Sequence, residues 1–295
     1  MIDAPSGHDA GLQADLALLH ERLMARRRML RWFGLAGASL LTASCGGGGV
    51  SSPDTTETSS GGSSGGGSGG GSGSTSCPIP ATETEGPYPA DGSNSSNGVV
   101  RNVLSQSGVV RNDIRSSFAD LSTTVAAGQD MTLTIRLSNS NASCSALAGY
   151  AIYIWHCDAA GRYSLYDLPN ENYLRGVAVT DADGMATFTT IFPGCYAGRW
   201  PHMHFEVYPN LATATSYANK ILTSQFAMDA DVCSQVYANV AGYEASLSRF
   251  PSVSLASDGI FRDNSSSQMT AMTPVITGSV AAGTLSASVE VGLAR

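Results

Sequence analysis

Lysine is all but missing from this chain of 295 residues; Lys220 is the only one. Charge of either sign is scarce at 14%, well below the ~25% of an ordinary soluble protein, and Ser, Thr, Asn and Gly carry the polarity instead. The formal net charge is −8, and beyond residue 45 eleven basic groups face twenty acidic ones. So acidic a body lacks the basic footprint that phosphate backbones require, which excludes nucleic-acid binding. The amino-terminal apolar run, Trp32 to Leu41, is ten residues long, against the ~20 needed to span a bilayer as a helix. No CxxC spacing occurs, so a thiolate metal site is not expected. Histidine is rare too: beyond residue 45 there are only His156, His202 and His204.

What the amino terminus does contain reads as an address. Residues 26–45, RRRMLRWFGLAGASLLTASC, place an arginine cluster before an apolar stretch, small residues and a cysteine. Arg27-Arg28 followed by Met29-Leu30 fits the twin-arginine export pattern. Thr42-Ala43-Ser44-Cys45 resembles a lipobox, in which the cysteine is lipidated and tethers the protein to a membrane; the alternative is plain cleavage and release. Met24 opens MARRRMLRWF, the form of a conventional signal start, which leaves Met1 and Met24 as two candidate starts. Residues 46–76 are a Gly/Ser-rich linker with nothing to form a core, a random coil with a reach of roughly 30 Å. The reading is an export signal over 1–45, a linker over 46–76 and one folded domain over 77–295, held at the cell envelope or secreted.

From Cys77 onward the hydrophobic period is mostly two. The segments MTLTIRL (131–137), YAIYIWHC (150–157), GVAVTD (176–181), MATFTTIF (185–192) and HMHFEVY (202–208) alternate or are rich in β-branched and aromatic residues. Asp183-Gly184 is a hairpin signal between two of them, and TPVITGSV with TLSASVEVGL predicts one further strand pair. A helix is expected within 229–247, weakened by Gly242. Many short strands at such spacing predict an all-β sandwich with few short helices and long loops. Of the five cysteines after Cys45, Cys144 and Cys157 flank one strand and are expected to pair in the oxidising compartment that export implies.

The chemistry concentrates in His202-Met203-His204-Phe205-Glu206-Val207. Strand periodicity puts His202, His204 and Glu206 on one face and Met203, Phe205 and Val207 on the other. The apolar face must look into the core, so two imidazoles point together the other way, within reach of one metal ion. The bland reading is a solvated polar face. A cupin needs its glutamate further along and another histidine downstream, and a 2-His-1-carboxylate site needs a distant third histidine; neither is present. The remaining ligands must be oxygen donors or His156, although His156, between Trp155 and Cys157, suits a hydrogen-bonded core position better. Tyrosines stand upstream, notably Tyr163 in Gly-Arg-Tyr and Tyr196 in Pro-Gly-Cys-Tyr. Two phenolates with two imidazoles favour a hard trivalent ion, Fe(III).

Here the residues carry a resemblance. WHCDAAGRYSLY (155–166), LRGVAVTDADGMATFTTIFPGCYAGRWPHMHFEVY (174–208) and TSQF (223–226) resemble the intradiol ring-cleavage dioxygenases, in particular an exported bacterial branch similar to protocatechuate 3,4-dioxygenase. TEGPYP (84–89) and RNDIR (111–115) look like that branch as well, so the likeness runs over roughly 77–265. Jointly, GRY, TDxDG, PGxY, RxxHxH and a following Gln are far more specific than any one of them.

The resemblance implies a β-sandwich holding Fe(III) through Tyr163, Tyr196, His202 and His204, with Tyr163 and His202 equatorial and Tyr196 and His204 axial. It implies an oxidoreductase that opens a catechol-type aromatic diol with O2 to a cis,cis-muconate-type product. Tyr196 would take up a substrate proton as a base, Arg199 would stabilise charge building on the ring, and Gln225 would orient the reacting species. Tyr88 would line the pocket mouth or cap the fold. His202 follows Tyr196 by only six positions, a shorter loop than in the protocatechuate enzymes, and Cys195 stands where the exported branch more often has Trp. These departures leave the ligand set alone and bear on which diol is used. The competing class is a non-catalytic exported β-sandwich, a binding or structural lipoprotein on the same scaffold.

Overall fold

The computed structural model describes residues 76–295; the export signal, Cys45 and the linker lie outside the described residues. The described chain opens with a hairpin, β1 (Asp91–Ser96) and β2 (Val99–Asn102). The strands of the sandwich follow as β3 (Asp130–Asn139), β4 (Ser145–Ala146), β5 (Ala151–Trp155), β6 (Arg175–Val179), β7 (Met185–Ile191), β8 (His202–Tyr208) and β9 (Leu222–Ala227). Three short helices come next, α1 (Ala230–Asn239), α2 (Glu244–Arg249) and α3 (Ser266–Met272), and then β10 (Val275–Ser279) and β11 (Thr284–Leu293). The all-β expectation holds, and every strand read from the sequence is present.

Two sheets face each other. One runs β10-β11-β3-β4, with β7 also paired to β3; the other runs β6-β5-β8-β9. Alternation along β3 buries Met131, Leu133, Ile135 and Leu137 against Ile152, Ile154, Met203 and Phe205 of the opposite sheet, the interdigitated inner faces of a sandwich. The second sheet is buried on its outer face as well. There Tyr153, Trp155 and Tyr208 pack with Val109, Phe118 and Tyr163 from the preceding and connecting loops. That cover is why no residue of β5 or β8 is exposed.

Several expectations change. Asp181–Gly184 forms its turn, with the Gly184 N–H donating to the Asp181 carbonyl at 3.0 Å, but the strands it joins do not make a hairpin: β6 pairs with β5 and β7 with β3, so the turn crosses between sheets. The expected helix is two, α1 and α2, broken near Gly242 at φ +95°, a left-handed conformation that glycine takes without a Cβ clash. Residues 266–295 form α3 and the β10–β11 pair, and β11 runs parallel to β3 through ten residues inside the first sheet.

The disulfide is Cys77–Cys144, Cα–Cα 5.5 Å, not Cys144–Cys157. The five residues of β5 run between Cys144 and Cys157, about 17 Å of extended chain, and a disulfide needs Cα atoms within about 7 Å. Cys157 instead lies inside, its thiol donating to the Gly194 carbonyl at 3.4 Å, and Cys157, Cys195 and Cys233 are all buried free thiols. The bridge closes a loop of 67 residues, worth about 4 kcal/mol by chain entropy. Cys144→Ser is therefore expected to lose about 2–4 kcal/mol in urea unfolding, and dithiothreitol should produce the same loss in the wild type and none in the variant.

Candidate metal centre

β8 presents His202 and His204 on the outer face of the second sheet, 2% exposed each. Strand pairing places Trp155 of β5 and Gln225 of β9 on either side of His204. Directly opposed residues share a face and touch: the Trp155 and His204 rings stack at 4.8 Å and 7°. The Nε2 atoms of His202 and His204 face each other at 3.1 Å. Nδ1 of His202 lies 2.5 Å from the Trp200 carbonyl. A carbonyl only accepts, so the proton sits on Nδ1 and leaves a lone pair on Nε2. Burial and the nearby Arg199 cation lower the basicity of His202 to about 3, and burial with the neighbouring His202 holds His204 well below the ordinary value. Both rings stay neutral at ordinary pH.

Two loops bring phenols to the pair. In the first, Asp158 accepts from the Ala160 and Arg162 amides and from the Arg162 guanidinium, and the Asp167 carboxylate accepts from the Tyr163 amide at 2.7 Å. The second, Pro193–Tyr196, lies against the first because of two glycines. A Cβ on Gly161, at φ +78°, would come 2.7 Å from the Cys195 carbonyl, and one on Gly194 would collide with the Asp158 carbonyl. The Tyr163 ring then stands 5.8 Å from Tyr196 and 6.3 Å from His204, and the Tyr196 ring 5.5 Å from His202. All four predicted donors are brought together, and Tyr88 stacks on Tyr163 at 4.6 Å.

Arg199 and Gln225 adjoin them. The Arg199 guanidinium donates from Nη2 to Gln225 Oε1 at 2.8 Å and from Nη1 to Tyr196 Oη at 3.4 Å, while Gln225 Nε2 donates to the Thr84 carbonyl at 2.9 Å. Its counter-ion is Asp258, reached from Nε at 2.9 Å. Burial pushes the Asp258 carboxyl up, but the Arg199 charge and the hydrogen bonds from Arg199, Trp200 and Ile260 outweigh it and hold the group below the ordinary carboxylate value. Sequence reasoning did not find Asp258, Trp155 or Thr84.

Other candidates lie elsewhere. His156 is a core residue, its ring between the Cys157 carbonyl at 2.8 Å and the Thr190 hydroxyl at 2.7 Å. Glu206 shares the face of the histidines but turns to the single lysine, with Lys220 Nζ at 2.7 Å. Burial and Asp91 raise its carboxyl to about 8 against the opposing pull of Lys220. Asp181 serves its turn, accepting from the Asp183 and Met185 amides.

The donor set fits a metal ion. Two nitrogens in cis positions about 2.1 Å from one metal lie about 3 Å apart, and the two imidazole Nε2 atoms are held at that separation. His204 Nδ1 is buried with no hydrogen-bond partner, a cost that leaves Nε2 as the working nitrogen of that ring. Two phenols beside two neutral imidazoles supply hard oxygen and borderline nitrogen donors, suited to ferric iron.

The sandwich itself is also the fold of known proteins. An intradiol ring-cleavage dioxygenase from Tetranychus urticae superposes with a TM-score of 0.54 at 22% identity, covering 74% of this chain and 95% of its own. The dioxygenase domain of a dioxygenase carbohydrate-binding protein fusion from Streptomyces sp. SirexAA-E gives 0.44 at 18%, with 73% and 98% covered, and catechol 1,2-dioxygenase from Pseudomonas arvilla C-1 gives 0.42 at 18%, with 72% and 61% covered. None of the curated proteins matches the chain. Residues 110–207 match the family model Dioxygenase_C, described as Dioxygenase, a segment that contains all four donors and Arg199. That segment is similar to the dioxygenase family, and the described chain has the fold of the intradiol ring-cleavage dioxygenases; neither comparison singles out an exported bacterial branch.

Proposed function

We propose that this protein is an Fe(III)-dependent intradiol dioxygenase that opens the ring of an aromatic vicinal diol with O2 to a cis,cis-muconate-type product. The observation that carries the reading is the convergence of the two imidazole Nε2 atoms, 3.1 Å apart, with the rings of Tyr163 and Tyr196 beside them. Tyr163, Tyr196, His202 and His204 would hold the iron. When bound, Fe(III) supplies a Lewis-acidic, redox-active centre that binds the ionised diol and makes it reactive toward O2. Tyr196 Oη receives a proton from the incoming diol, a general-base role. The Arg199 cation, steered by Gln225 and Asp258, faces the site where negative charge grows on the ring, a kind of stabilisation worth about 3 kcal/mol per donor. Trp155 and Tyr88 wall the donors off from water. A non-catalytic module on this scaffold would tolerate loss of a donor, and none of the four is displaced.

The protein prepared with ferric iron is expected to be red-brown from tyrosinate-to-iron charge transfer. It is also expected to consume O2 with at least one member of a panel of substituted catechols. A colourless product that takes up no iron on reconstitution would overturn the reading. Within it, export directed by residues 1–45 and a lipid tether at Cys45 would hold the enzyme at the cell envelope; membrane fractionation of a Cys45→Ser variant tests the tether.

A further inference from the structure

Asp258 follows α2 and lies 54 positions beyond His204 in sequence, yet its carboxylate is 2% exposed and packs behind the metal centre. It accepts four hydrogen bonds. Oδ2 takes Arg199 Nε at 2.9 Å and the Trp200 amide at 2.7 Å; Oδ1 takes the Ile260 amide at 2.8 Å and the Phe261 amide at 3.2 Å. The Oδ1 pair fixes the carboxylate to its own loop, and the Oδ2 pair grips the strand approach that carries the site.

Each Oδ2 contact leads to a different part of the site. Through Nε it anchors one edge of the Arg199 guanidinium, leaving Nη2 for Gln225 and Nη1 for Tyr196 Oη. A guanidinium is a rigid planar fork, so pinning one edge sets the direction of the other two donors. Through the Trp200 amide it holds the residue whose carbonyl, 2.5 Å from His202 Nδ1, fixes the proton on that ring. One buried carboxylate thus meets both the cation and the histidine tautomer.

Resting on the dioxygenase reading above, we propose that Asp258 is a positioning residue for ring cleavage, acting through Arg199 to hold the guanidinium in register with Tyr196. The rival is a structural ion pair that only ties the loop around residue 258 to the start of β8. The two differ in what happens once Arg199 is gone. A group that acts through Arg199 has nothing left to position, so its effect on turnover vanishes in that background. A purely structural pair shows its loss in stability and leaves kcat of the folded fraction unchanged.

The experiment is a double-mutant cycle on the iron-loaded full chain with catechol, reading kcat, KM and the charge-transfer band. Asp258→Asn is expected to keep the iron and its band and to change KM less than threefold. Its kcat is expected to fall by roughly 10–100-fold, the usual cost of losing a partner that orients a metal-site group. Arg199→Ala is expected to fall further, and Arg199→Ala with Asp258→Asn is expected to match Arg199→Ala. Should Asp258→Asn not fold, the comparison between Arg199→Ala and the double variant decides. The double variant buries no unpaired charge there and is expected to be the more stable of the two; equal kcat supports the proposal and a further tenfold loss overturns it. A kcat within twofold of wild type for folded Asp258→Asn also overturns it while leaving the dioxygenase reading intact. A wild type that opens no diol sinks that reading first.

Discussion

His204→Ala is expected to yield a folded protein that is colourless, holds no iron after reconstitution and shows no ring cleavage above background. The imidazole is one of only two nitrogen donors, and its Nε2 lies 3.1 Å from the other. Losing even a group that merely orients a ligand costs about 10–100-fold in metal affinity, so losing the ligand itself costs more. The fold is expected to persist, because Trp155 and Gln225 still flank the position and the vacated space lies on the outer face of the second sheet, away from the apolar layer between the sheets. Metal analysis and the visible spectrum of the purified variant check it. The instructive control is His156→Ala. That ring is equally buried and bridges the Cys157 carbonyl and the Thr190 hydroxyl, so its removal leaves buried polar groups unpaired, at about 1–3 kcal/mol each. It is expected to lower stability while keeping the iron. If His156→Ala lost the metal and His204→Ala kept it, the centre would have to be rebuilt around a different histidine.

The sequence revealed some parts of this molecule far better than others, and the reasons are physical. The polar face of β8 was legible because an H-x-H pair on a period of two can only point one way once Met203, Phe205 and Val207 are committed to the core. That the polar face is itself buried was not legible. The cover comes from residues 103–126 and from the loops around Tyr163 and Tyr196, and no local pattern says that a distant loop will lie over a strand. The phenol donors sit on irregular backbone, and what holds them is a pair of close approaches, Gly161 on Cys195 and Gly194 on Asp158. Spacing does not encode such contacts, so Tyr163 and Tyr196 were recovered through resemblance to a family. Asp258 gave no signal at all. In the run Ser-Asp-Gly-Ile it reads as a turn residue, and only the fold reveals that its carboxylate meets Arg199. The same holds for pairings distant in sequence. The strand character of 284–293 was evident, but its parallel register with β3 was not, and the local disulfide guess failed because the partner of Cys144 was the residue at the start of the folded body.

Tyr196→Phe separates holding the iron from moving a proton. The substitution removes one oxygen and keeps the ring, so the contacts at 5.8 Å to Tyr163 and 5.5 Å to His202 survive. Tyr163, His202 and His204 remain as donors, and iron is expected to stay bound with a changed charge-transfer band, one phenolate now contributing in place of two. Turnover of unsubstituted catechol is expected to fall by roughly 10²–10⁴-fold, the range that a positioned general base supplies. The size of the loss should depend on the substrate. A catechol made more acidic by an electron-withdrawing substituent gives up its proton without help, so its deficit should shrink toward tenfold or less as hydroxyl acidity rises. Arg199 Nη1, 3.4 Å from Tyr196 Oη in the wild type, favours the phenolate that accepts the proton. Arg199→Gln should therefore weaken the same acidity dependence, whereas a change confined to pocket shape would not. kcat/KM for both variants across catechols graded by acidity checks this. A deficit for Tyr196→Phe that is uniform across the series would mean that Oη serves only as a ligand and that the substrate proton leaves by another route.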